Sequence, residues 1–419
     1  MHQSGEMAPV WAVSVTRMHQ SGGLAPAGMG PGGMGPGRGR RWLTRSHWPR
    51  PGVGPYADTM TTLAYRITRN SSPTSADCRN EILAAPGFGK HFSDHMLSIT
   101  WTAEDGWHDP RVEPYGPIPM DPATSVLHYA QEIFEGLKAY RHADGSVWTF
   151  RPEANAERFQ RSARRLALPE LPTDEFVAAL EVLVRLDVDW VPVGGENSLY
   201  LRPFMFASEV FLGVRPSAEV RFMVIASPVG PYFAGGVKPV SIWLSSKFTR
   251  AAHGGTGAAK CGGNYASGLA AQIEASENGC DQVCFVDAAE HRWVEELGGM
   301  NLYFVRADGR LQTPPLTGTI LEGVTRSSIL TLGKELGLQP EERPISIDEW
   351  RDGVNSGDIR EVFACGTAAV VTPVGRLVWA GGEVGNAVAG ERTMQLRKAL
   401  IDLQYGRSAD PHGWLHRLV

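Results

Sequence analysis

Lys260 stands alone among Gly, Ala and Thr in the run GGTGAAKCGGNYA at residues 254–266. No other stretch limits the fold as strongly. A backbone carrying so few bulky side chains can come close to a flat partner. The residues that follow predict a helix over 264–278 that stops at Gly279. Only the neutral amine of a lysine is a nucleophile, so a chemical role requires that the loop be desolvated or lie near other cations. Taken alone, the loop reads equally well as a surface loop with a solvated lysine.

A second punctuation mark is PYFAGGVKPV at 231–240, which reads as an interdomain linker. Strand-like runs at 95–101 and 221–226 and a helix-like run at 173–186, with TDEF suggesting an N-terminal cap, mix α and β. The expected organisation is a domain over 61–230 and a second over 241–419, with a cleft between them for a small ligand. Residues 1–60 differ. They are rich in Gly, Pro and Met, and Arg38, Arg40, Arg41, Arg45 and Arg50 make them basic. Such a segment buries too little apolar surface to offset its ordering entropy. A disordered tail, a cleaved targeting peptide, and translated upstream DNA with the true start near Met60 all fit, and the Gly/Pro content favours the tail or the misplaced start.

The formal net charge of −5 over 419 residues gives no reason to expect nucleic acid as a partner. No apolar run approaches the length of a membrane span. Cys78, Cys261, Cys280, Cys284 and Cys365 are odd in number and form no CxxC pair, so no structural metal is expected. Free thiols in a reduced, cytoplasmic setting fit best, organellar import remaining open because of the N-terminal extension. Cys280 and Cys284 read as buried thiols near a strand.

Further motifs follow in order: LHYAQEIFEGLKAY at 127–140, FRP at 150–152, YLRP at 200–203, the Lys260 loop, EELGGMN at 295–301, GVTR at 323–326 and CGTAA at 365–369. Each is weak alone. Together, from about Phe88 to the C-terminal region, they resemble the branched-chain aminotransferases, fold-type IV enzymes that use pyridoxal phosphate. The resemblance implies an α+β fold with a smaller N-terminal α/β domain and a larger, barrel-like C-terminal α/β domain.

By that resemblance Lys260 holds the cofactor and shuttles the proton. Glu296 faces the pyridine nitrogen, with Glu295 as the competing choice. Tyr265 binds the phenolic oxygen. Arg151, Val324, Thr325 and Thr367 hold the phosphate, and Thr325 near a helix start also reads as an ordinary N-cap. Phe88, Tyr129, Phe134, Tyr200, Arg202, Tyr232 and Ala368 bind substrate. Leu212 and Val214 in FLGVRP at 211–216 reach a neighbouring subunit, which implies a homodimer. Lys138 is assigned a structural role. Gly299 stands where many relatives have Thr. Ala369 and Thr372 stand where some carry a redox CxxC, so no such switch is expected. The implied reaction moves an amino group between L-Leu, L-Ile or L-Val and 2-oxoglutarate, giving branched 2-oxo acids and L-glutamate. The alternatives are a D-amino-acid aminotransferase or aminodeoxychorismate lyase of the same fold type, or a silent homologue.

Overall fold

The structure, a computed structural model, describes residues 63–231, 237–385 and 388–419. The expectations for residues 1–60, for Tyr232 and for the middle of the linker lie outside the described residues.

Along His95–Thr102 buried and half-buried side chains alternate, with Leu97 and Ile99 fully inside. This is the period of a strand with one covered face. It pairs antiparallel with Gly106–Pro114 and with Glu219–Val229. Ser198–Ala207, Leu137–Arg141 and Val147–Phe150 continue the sheet antiparallel. Glu132–Phe134 also joins Ser198–Ala207, and Arg66–Ile67 joins Gly106–Pro114 in parallel. The ninth strand, Leu415–Arg417, returns from the chain's end to pair with Val147–Phe150. Assigning all of 241–419 to a second domain therefore needs correction, because residues 415–417 complete the first sheet.

Helices Pro152–Arg165 and Thr173–Leu186 cover this sheet. Phe159 and Phe176, one from each helix, meet Phe222 of the sheet with ring centroids 5.4, 5.6 and 6.0 Å apart. Each is fully buried, and burying a side chain of this size contributes about 1.5–3 kcal/mol. The second helix spans the expected residues, but its N-cap is Pro172 and no side chain caps it. Thr173 already lies inside the first turn, so its hydroxyl cannot take the capping position. Asp174 and Glu175 complement the helix dipole there instead.

The second sheet is written in continuous apolar runs. Asn301–Arg306 is buried at every position, as befits a strand covered on both faces. The order is Val294–Leu297, Gln282–Val286, Val240–Leu244, Val370–Trp379, Ile359–Gly366, Asn301–Arg306, Arg310–Thr313 and Gln339–Glu342, with Gly382–Gly385 on Val370–Trp379. Glu296 pairs back to Asn301, which closes the first six of these strands into the expected barrel-like ring. Helix Gly262–Glu277 starts two residues earlier than its composition suggests. The reason lies in the other sheet: the Glu132 carboxylate accepts the Gly262 amide and so satisfies the helix start. The helix gives way at Gly279, which takes φ +66°.

Candidate active site

The Lys260 loop is held from the first sheet and from the helix that covers it. The Lys260 amide donates to Ser162 Oγ at 2.9 Å, and its carbonyl accepts the Phe134 amide at 2.9 Å. Asn264 folds the loop back by donating to the carbonyls of Thr256 and Ala259, each at 2.8 Å. At Gly257 a Cβ would lie 2.4 Å from the Thr319 carbonyl, so close approach demands glycine there. Lys260 Nζ donates to the Tyr265 hydroxyl at 2.6 Å. The amine lies 4.6 Å from the centre of the Phe134 ring and 5.0 Å from that of Tyr265.

Glu296 is buried on the strand Val294–Leu297. Its carboxylate accepts the Leu321 amide at 2.8 Å and Arg250 Nη1 at 2.9 Å, and Asn301 Nδ2 lies 3.4 Å away. Burial pushes this carboxyl above its ordinary value, while Arg250, the Leu321 amide and the nearby Lys260 pull the other way. Glu295, its neighbour on an alternating strand, is also buried and also raised by burial. Lys260 is among the charges acting on Glu296, which ties that acid to the lysine.

Arg151 takes φ +52° at the start of Pro152–Arg165. Its Nη1 donates to Ser327 Oγ and Ser328 Oγ, each at 2.8 Å, and its guanidinium lies 5.1 Å from the Trp414 ring centre. Both serines belong to the first turns of helix Val324–Glu335, whose N-cap is Gly323 with no side-chain cap. The N-cap reading of Thr325 is therefore corrected: Thr325 lies inside the first turn, and the open amides of that turn can receive an anion. Thr325 and Thr367 line one small cavity with Gly136, Asn155 and Gln404. Thr367 and Ala368 sit on the turn between Ile359–Gly366 and Val370–Trp379.

Four other expected residues gather around the lysine. The Phe134 ring lies 4.9 Å from that of Tyr265, and Arg202 lies 4.9 Å from the Phe134 ring centre. Arg202 Nη2 donates to the Tyr200 hydroxyl at 3.1 Å, and the Phe88 ring lies 5.3 Å from Tyr200. A Cβ at Gly136 would fall 2.0 Å from the Tyr200 hydroxyl oxygen, so this glycine makes room for Tyr200. Tyr129 behaves differently. It is exposed, and its hydroxyl donates to the Leu212 carbonyl, in the same loop as the exposed Val214.

Several residues here escape sequence reasoning. Arg250 carries no motif, and it reaches Glu296 from the loop that follows Val240–Leu244. Arg158 and Glu135 form a fully buried pair beside the site, with Nε 2.7 Å from Oε1. Lys138 Nζ donates to the Ala368 carbonyl at 3.0 Å, so this lysine supports the turn. Glu132 is half-buried, and burial pushes its carboxyl up despite the Gly262 amide and the charge of Arg202. At Gly299 a Cβ would meet Tyr265 at an ordinary 3.7 Å, so space does not require glycine there.

Residues 132–377 match the family described as amino-transferase class IV. The chain is 59% identical over 363 residues to a probable branched-chain-amino-acid aminotransferase of Streptomyces coelicolor, covering 86% of this chain and all of that protein. It is 54% identical to the branched-chain-amino-acid aminotransferase of Mycobacterium tuberculosis, over 86% of this chain and all of that protein. Among solved structures, that of the Escherichia coli branched-chain amino acid aminotransferase superposes with a TM-score of 0.64 at 30% identity, covering 77% of this chain and all of the other. The branched-chain amino acid aminotransferase of Thermobaculum terrenum, solved in its PLP-form, superposes with a TM-score of 0.62 at 25% identity, over 77% of this chain and 98% of the other. With the geometry of the site, these likenesses mean that the chain belongs to the branched-chain-amino-acid aminotransferases of the class IV amino-transferase family.

Proposed function

We propose that this enzyme transfers the amino group of L-Leu, L-Ile or L-Val to 2-oxoglutarate with Lys260 as its catalytic base. What supports the reading is the bond from Lys260 to Tyr265, the buried Glu296 and the place of Arg151 at the start of Val324–Glu335, in a chain of this family. The residues fit pyridoxal phosphate: Arg151 turns to hydroxyls at an open helix start rather than to a carboxylate, and Glu296 is a buried acid that the charge of Lys260 reaches. When bound, the cofactor supplies an aldehyde to receive the amino group and a ring that draws electrons from the substrate Cα.

Arg151, Val324, Thr325 and Thr367 hold the phosphate end, the guanidinium by charge and the first turn of Val324–Glu335 by its amides. Glu296 holds a proton at the ring nitrogen, and Tyr265 binds the phenolic oxygen. Lys260, already within reach, takes the proton from the substrate Cα and delivers it back to the reacting system. Tyr200 and the amides of Thr367 and Ala368 bind the α-carboxylate. The ring faces of Phe88 and Phe134 hold an aliphatic side chain, and Arg202 receives the γ-carboxylate of glutamate. An apolar pocket separates ligands differing by one methylene by only about 1–3 kcal/mol, so Leu, Ile and Val overlap as donors.

The subunit reading is a homodimer. Leu212 and Val214 are 58% and 85% exposed, and the bond from Tyr129 to the Leu212 carbonyl supports a shared task for all three at a partner's pocket. Light scattering on the purified protein checks the dimer. A cytoplasmic location is part of the same reading, supported by free cysteines. The catalytic test pairs L-Leu, L-Ile, L-Val, L-Phe and D-Ala with 2-oxoglutarate and measures both glutamate enantiomers. L-glutamate from the branched-chain donors, abolished in Lys260→Ala, is expected. D-glutamate from D-Ala would overturn the substrate assignment.

A further inference from the structure

We infer that His95 and Asp187 are positioning residues for donor selectivity: they clasp the strap before His95–Thr102 to the first sheet and so hold Phe88 against Tyr200. The inference rests on the reading of Phe88 as a pocket wall. Phe88 itself has little to fix it. It lies between Gly87 and Gly89, both at φ +66°, where glycine gives the backbone its greatest freedom. The one backbone bond beside it runs from the Gly230 amide to the Gly87 carbonyl at 3.2 Å.

The strap is fixed elsewhere. His95 is buried, and its Nδ1 lies 2.6 Å from Asp187 Oδ1. Its own amide donates to the other oxygen of Asp187 at 2.9 Å. The opposite ring nitrogen, Nε2, accepts the Asn70 amide of the strap at 2.9 Å. Asp94 completes the clasp: its carboxylate accepts the amide and hydroxyl of Thr74, each at 2.8 Å, and Trp190 Nε1 at 2.8 Å. After Phe88 the Ser93 amide donates to the Ala226 carbonyl at 2.9 Å. Phe88, just after helix Ala76–Ala84, thus lies between two anchored points, the first made through the His95 ring and the second through the backbone at Ser93.

The clasp has a definite protonation state. An Nε2 that accepts an amide carries no proton, so the ring is neutral with its proton on Nδ1 toward Asp187. The charged groups facing it are Asp187 at the end of helix Thr173–Leu186 and Asp94 on its own segment; the strap offers the Asn70 amide. Burial pushes the Asp94 carboxyl up, but bonds from Thr74 and Trp190 and the facing His95 outweigh it and hold it below the usual range. Adding a proton at Nε2 sets two donors against each other and releases Asn70. The docked strap therefore depends on a ring that accepts at Nε2 and donates at Nδ1.

Two substitutions test the clasp. In His95→Gln the amide oxygen and nitrogen can take the places of Nε2 and Nδ1. In His95→Ala both bonds are lost. The readout is the ratio of kcat/KM for L-Leu to that for L-2-aminobutyrate in the holoenzyme. Ionisations common to both donors cancel in this ratio. L-2-aminobutyrate lacks the branched end of L-Leu and so has less side chain to meet that wall, which makes the ratio its readout.

In His95→Gln the ratio is expected to stay at its wild-type value. In His95→Ala it is about tenfold lower, matching Phe88→Ala, while kcat for L-2-aminobutyrate is retained. Hydrogen exchange of residues 63–75 is expected to quicken in His95→Ala and to be unchanged in His95→Gln. A wild-type ratio in His95→Ala, unchanged exchange there, or a loss in His95→Gln as large as in His95→Ala overturns the inference. An unchanged ratio in Phe88→Ala removes the wall and the inference with it, whereas no L-glutamate from L-Leu in wild type overturns the transaminase reading instead.

Discussion

Arg250 and Glu296, 46 residues apart, form an ion pair buried on both sides, with Nη1 2.9 Å from Oε1. Removing one member of a buried pair strands the other and costs about 3–5 kcal/mol. Arg250→Met is expected to lose stability on that scale in urea unfolding. Its pH dependence follows from the carboxyl, which burial already raises. A folded state that binds the proton more tightly than the unfolded chain loses stability as pH rises through the window between the two values. The loss in Arg250→Met should therefore shrink on acidification, and Arg250→Met/Glu296→Gln should recover part of it at neutral pH.

Arg151 donates to two serine hydroxyls at the start of Val324–Glu335. A charge-assisted bond to phosphate is worth about 1.5–3 kcal/mol. Arg151→Ala should therefore weaken pyridoxal phosphate binding by about ten- to a hundredfold, measured by equilibrium dialysis, while kcat at saturating cofactor changes far less.

Lys138 is buried, and burial lowers its ammonium to about 8, with Glu196 opposing and Arg397 adding to the shift. The penalty on the charged form is complete below that value and is relieved as pH rises toward the ordinary lysine range. Wild type should thus gain melting temperature relative to Lys138→Met as pH rises above about 8. A constant difference across that window would contradict a buried, titrating Lys138.

Cys78 is exposed, whereas Cys261, Cys280, Cys284 and Cys365 are buried. Burial also raises the Cys365 thiol to about 12, leaving little thiolate to react. One thiol should titrate rapidly with a disulfide reagent in the native protein and five after unfolding. A second fast thiol would mean that one of the buried four opens readily.

Local sequence determined what depends on neighbours along the chain. The small residues around Lys260, the helix stop at Gly279, the helix over 173–186 and the alternation in His95–Thr102 were all legible, because propensity and periodicity act over a few residues. The ordered motifs marked Lys260, Tyr265, Glu296 and Arg151 by resemblance. Tertiary structure decided whatever depends on residues far apart. No local pattern places Arg250 on Glu296, Glu132 at the start of the helix after Lys260, or Lys138 under Ala368; the packing of a loop, a helix start and a turn against distant partners does. The same holds for Leu415–Arg417, three residues too short to declare themselves, which become a strand only because Val147–Phe150 offers an open edge. Side-chain chemistry is written residue by residue, but ion pairs, caps and sheet edges exist only once the chain has brought distant partners together.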